Sequence, residues 1–82
     1  MSETENRKPS EEILKSLSLN LRKLRKGRGL TQARLAQRCG FHKNYVSNVE
    51  QGTVNITLAN LEALADGLDC WEEDLLRRVF VA

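Results

Sequence analysis

"GFHKNYVSNVEQG", residues 40–52, is the stretch on which the fold turns. Val46 and Val49 keep the i, i+3 spacing of a narrow apolar stripe along one side of a helix. Around them stand Lys43, Asn44, Ser47 and Asn48, all able to hydrogen-bond and none acidic. A helix that merely faced water would carry Glu as freely as Lys. A neutral, amide-rich outer side asks instead for a partner with hydrogen-bonding edges and negative charge. Gly40 can take positive φ in the turn before this helix, and Gly52 closes it.

Working outward, Leu30 leads into Thr31, a good N-cap for "QARLAQRC", which Gly40 ends. Ala36, Gly40, Val46 and Val49 then follow one another at spacings of 4, 6 and 3, with Leu35 beside Ala36. Ala36 is small where two helices must cross closely, and the valines turn inward to lock the second helix against the first. This is a helix-turn-helix pattern, in which the second helix lies in a major groove and its N-terminal residues reach base edges. Asn suits adenine bidentately, and Lys suits the acceptors of guanine.

The flanks supply three more helices. "SEEILKSLSLNLRKLRKGRG" opens on Ser10 as N-cap, with Glu11 and Glu12 at the positive end and an apolar face of Ile13, Leu17, Leu21 and Leu24. Thr57 caps "LANLEALADG", with Leu58, Leu61, Leu64 and Ala65 on one side, and "WEEDLLRRVF" finishes the chain as a fifth helix. No segment sustains a period of two, so strands are not expected. The expected fold is all-α: a compact five-helix domain over residues 10–82, preceded by a flexible tail over residues 1–9.

The chain has 82 residues and a net charge of only +2, but the charge is polarised. Residues 15–49 hold nine Lys or Arg and no acid, whereas residues 50–82 hold seven acids against Arg77 and Arg78. One basic face suits a polyanion. No apolar run is long enough to span a membrane, and the polar N-terminus is not a secretory signal, so a cytoplasmic location is expected. Cys39 and Cys70 lack metal-ligand spacing and read as structural thiols, and His42 is the single histidine. Nothing pairs a nucleophile with a base, so no enzyme, metal, cofactor or small-molecule ligand is expected.

"LRKLRKGRGLTQARLAQRCGFHKNYVSNVEQGTVNITLANLEALADGLDCWEEDLL" resembles the phage repressor/Cro-type (Xre) helix-turn-helix family over about residues 17–76. The "GLTQARLA" entry, the "YVSNVEQG" helix and the "TLANLEALADGL" helix carry the likeness. With "YVSNVEQGTVNITL" at its centre, the chain is also similar to controller proteins of restriction-modification systems. The resemblance implies that Lys43, Asn44 and Asn48 read bases. It implies that Gln32 bonds phosphate and braces the recognition helix, and that Tyr45 and Ser47 reach phosphate or the groove edge. Asn55 and Asn60 fall where the family contacts backbone phosphates, and Arg25 and Glu50 match a buried ion pair. His42 stands where Ser, Thr or Asp usually caps the recognition helix, which puts the cap in question and suggests a phosphate contact, as a cation. Arg38 is a further backbone candidate, provided it lies on the basic face.

The expected function is a sequence-specific regulator of transcription, bound as a homodimer to two half-sites on double-stranded DNA. Trp71, Leu75, Leu76, Val79 and Phe80 form an apolar cluster too large for so small a core, and they are the expected dimer interface. RNA polymerase is a further candidate partner, through the acidic C-terminal half. An antitoxin that binds a toxin and represses its own operon is the alternative on the same fold.

Overall fold

The structure is a computed structural model, and it describes residues 7–80. Five helices follow in order: α1 (Glu11–Gly27), α2 (Gln32–Cys39), α3 (Lys43–Glu50), α4 (Leu58–Leu68) and α5 (Glu72–Leu76). No strand occurs among the described residues. Most of the flexible tail expected over residues 1–9 lies outside them.

Each longer helix begins where a side chain can satisfy a free backbone N–H. Ser10 Oγ accepts from the Ile13 N–H, Thr31 Oγ1 from Arg34 and Thr57 Oγ1 from Asn60. Helix α3 is capped as well, by an unusual group: His42 Nδ1 accepts from the Asn44 N–H at 3.1 Å. The doubt about this cap is thereby removed. A ring nitrogen accepts such a bond only through a free lone pair, so capping through Nδ1 and a proton on Nδ1 exclude one another. The cationic role expected for His42 is incompatible with its capping role.

The core is built from the inward faces of all five helices. Leu17 and Leu21 of α1, Leu35 and Ala36 of α2, Val46 and Val49 of α3, and Leu61, Leu64, Ala65 and Leu68 of α4 are buried, and Leu75 of α5 closes it. Helices α2 and α4 cross at Gly67, where a Cβ would fall 2.5 Å from Cys39 Sγ. Any larger residue there would force the Cys39 side chain to move.

Two expectations fail at helix ends. Leu58, expected on one apolar side of α4 with Leu61, Leu64 and Ala65, is 83% exposed. It is the first residue of the helix, where the apolar row overhangs the edge of the core. The fifth helix stops at Leu76 rather than running to Phe80. Helix α1 supplies the reason. Asn20 Nδ2 donates to the carbonyls of both Leu75 and Arg77, at 2.9 and 2.7 Å, and Ser16 Oγ accepts from the Val79 N–H at 3.0 Å. Backbone groups that would have continued α5 are satisfied by α1 instead, and the chain runs on extended from Arg77.

Candidate nucleic-acid interface

Helix α3 presents Lys43, Asn44 and Asn48 to solvent, with Ser47 half-buried among them, while Val46 and Val49 are wholly inside. Its inner side is also held by charge. Glu50, the last residue of α3, is buried, and Arg25 of α1 grips its carboxylate with two hydrogen bonds, from Nε to Oε2 and from Nη2 to Oε1 at 3.0 Å. Gln32 Nε2 adds a third, to Oε1 at 3.1 Å. Three helices thus meet on one carboxylate. Burial alone would raise the Glu50 carboxyl. The hydrogen bonds from Arg25 and Gln32, with the attraction of Arg25 and Arg22, outweigh burial and hold it below its ordinary range.

The other end of α3 is tied to α4. Tyr45 packs its ring against Phe41, centroids 4.8 Å apart and planes tilted by 55°. Its hydroxyl accepts from Asn60 Nδ2 at 2.9 Å. The N-termini of α3 and α4 therefore sit side by side, and Asn60, Tyr45, Asn44 and Lys43 belong to one neighbourhood. Asn55 is exposed in the loop before α4.

Arg38 does not join this group. Its Nη1 donates to the Gly67 carbonyl at 3.1 Å, near the C-terminal end of α4, whereas Asn60 lies near the N-terminal end. An α-helix of 11 residues is about 16 Å long. Arg28 works beside it, donating to the carbonyls of Leu68 and Asp69 at 2.6 and 3.2 Å. Helix α4 has no base in its own last turn, so two arginines from outside it neutralise its negative end. With Arg25 and Arg22 engaged at Glu50, four of the nine bases in the acid-free run serve the fold. Charge counting missed this, because nothing in the local sequence marks a guanidinium that bonds a carbonyl 29 or 40 residues away.

The residues of the expected dimer surface do not lie together. Leu75 is fully buried in the protomer's own core and cannot face a partner, which corrects that assignment. Trp71, 72% exposed, borders a polar hollow with Asp66, Asp69, Glu72 and Asp74. Leu76 lies elsewhere, in an apolar groove with Ile13, Leu14, Ile56 and the unexpected Leu58. Val79 is tied to α1 through Ser16, and Phe80 is 93% exposed.

Residues 21–75 match the helix-turn-helix family. The chain belongs to that family. A protein from Neisseria meningitidis serogroup B, described as a hypothetical transcription factor, is 41% identical over 61 residues, or 73% of this chain and 58% of its own length. The chain thus spans little more than half of that relative. The control protein C.SmaI of Serratia marcescens is 36% identical over 67 residues, covering 82% of this chain and 80% of that protein. The crystal structure of the restriction-modification controller protein C.AhdI from Aeromonas hydrophila superposes with a TM-score of 0.74 at 39% identity. That likeness covers 76% of this chain and 94% of that one. The helix-turn-helix unit of this chain is α2 and α3, as the sequence led one to expect, and its five-helix all-α fold is the one shared with these relatives. No described helix is long and apolar enough to cross a membrane.

Proposed function

We propose that this helix-turn-helix chain is a sequence-specific, double-stranded-DNA-binding regulator of transcription, acting in the cytoplasm as a homodimer of the restriction-modification controller kind. One observation carries the reading: α3 is clamped from inside by Val46, Val49 and the Glu50 cluster, while Lys43, Asn44 and Asn48 stand outside it with no acid among them. A rigid helix with a free amide and ammonium face can reach base edges in a major groove. Tyr45, Ser47, Asn55, the second amide hydrogen of Gln32 and a ring N–H of His42 are donors for the sugar–phosphate backbone around it.

A single recognition helix reads few base pairs, so specificity calls for two half-sites. The apolar groove of Ile13, Leu14, Ile56, Leu58 and Leu76 is the surface that would join two copies. It lies at the start of α4, next to the reading face, which would bring the two α3 helices onto one side of a dimer. Trp71 and its acidic surroundings lie on a separate surface, left for a protein such as RNA polymerase.

Selection from random duplex DNA tests the reading. The expected product is an inverted repeat with half-site centres about one helical turn, ~34 Å, apart. Recovery of no preferred sequence, or of a single unrepeated half-site, would contradict it.

A further inference from the structure

We propose that Asn60 is a positioning residue for DNA binding: its amide fixes the Tyr45 hydroxyl as a hydrogen-bond donor aimed outward at a backbone phosphate. The inference rests on the DNA-binding reading above and adds a residue that acts through another.

A phenolic hydroxyl has one hydrogen to give and lone pairs to receive. At Tyr45 the oxygen already receives from Asn60 Nδ2, so its own hydrogen is left for another partner. The ring is half-buried and packed at a tilt against Phe41, which helps hold the oxygen in place. Asn60 is itself held, because its backbone N–H is bonded to the Thr57 cap in the first turn of α4. A hydroxyl that accepts a hydrogen bond becomes a better donor, since the two bonds polarise each other. A phosphate oxygen, which only accepts, is the complementary partner. The same bond links the first turns of α3 and α4, at the end where helices direct unpaired N–H groups outward. Asn60 thus biases what Tyr45 contacts: with one lone pair taken, the free hydrogen of the hydroxyl favours a phosphate oxygen.

The protein has one tyrosine, so tyrosine vibrational spectra report Tyr45 alone. The ultraviolet Raman doublet of tyrosine distinguishes a hydroxyl that accepts from one that donates. In free wild-type protein the hydroxyl should show that it accepts while its own hydrogen bonds water, and not the signature of a donor alone. A donor signature in the wild type, with the hydroxyl bonded to the amide oxygen of Asn60, overturns the proposal.

Affinity for the selected operator supplies the second arm. Tyr45→Phe and Asn60→Ala should each weaken binding about tenfold per half-site, without changing base preference. The double variant should be no weaker than Tyr45→Phe alone. Asn60→Asp should weaken binding more than Asn60→Ala, because a carboxylate takes the Tyr45 hydrogen for itself. In the Tyr45→Phe background that extra loss should shrink to the part due to charge repulsion. Losses that simply add, or an Asn60→Asp penalty equal in both backgrounds, overturn the role of Asn60 while leaving DNA binding intact. Wild-type protein that binds no DNA overturns both.

Discussion

Arg25 of α1 and Glu50 of α3 are joined by two hydrogen bonds inside the protein, with the Glu50 side chain only 1% exposed. The pair fixes the C-terminal end of α3 to the longest helix in the fold. Removing one member leaves the other charge buried without its partner, which costs about 3–5 kcal/mol. Glu50→Ala should show that loss in urea unfolding. A loss below about 1 kcal/mol, the size of an exposed ion pair, would mean the pair does not hold α3.

Acid should attack the same contact. Glu50 has a folded pKa below its ordinary 4.5, because hydrogen bonds and nearby arginines outweigh burial. A carboxylate lowered on folding stabilises the native state above its unfolded pKa and loses that contribution as pH falls through the folded value. Wild-type stability should therefore drop from pH 5 downward. Glu50→Gln, less stable at neutral pH, should drop less over the same interval. Unfolding midpoints at several pH values measure this, and parallel curves for the two proteins would remove Glu50 from the acid response.

The split of the apolar surface predicts a split in self-association. Leu58→Asp and Leu76→Asp should each convert the proposed dimer to monomer at micromolar concentration, since a charge would be buried in the groove. Trp71→Ala should leave the dimer intact. Sedimentation velocity distinguishes these outcomes. Dissociation by Trp71→Ala with none by Leu58→Asp would move the interface to the acidic side.

Arg38 should behave as a part of the fold. Its bond to the Gly67 carbonyl neutralises the end of α4, so Arg38→Ala should cost about 1 kcal/mol of stability. The dependence of DNA affinity on salt should stay unchanged, because no phosphate contact is removed. A fall in the salt slope of about one unit per half-site would instead place Arg38 on the DNA backbone.

What was legible in the sequence was local. Ser10, Thr31 and Thr57 announce helix starts because each cap reaches a backbone N–H only three residues on. Val46 and Val49 reveal the inner side of α3 because a helical period places them together. What was hidden depends on distant partners. Asn20 ends α5 from 55 residues away, and Arg28 and Arg38 reach carbonyls of α4 across the fold. The residue type of His42 puts its cap in question, although a ring nitrogen with a free lone pair can serve. Leu75 and Leu76 are adjacent in sequence, yet one is core and the other borders the groove. Only the packing of α5 decides which is which.

The central claim is that the outer side of α3 reads bases, and Asn44→Ala tests it most directly. The experiment is binding to a library in which each operator position is randomised, for wild type and variant. The account predicts a loss of about 1–3 kcal/mol per half-site and relaxed preference at particular base pairs, with the other positions unchanged. A uniform loss of affinity that leaves every base preference intact would contradict it.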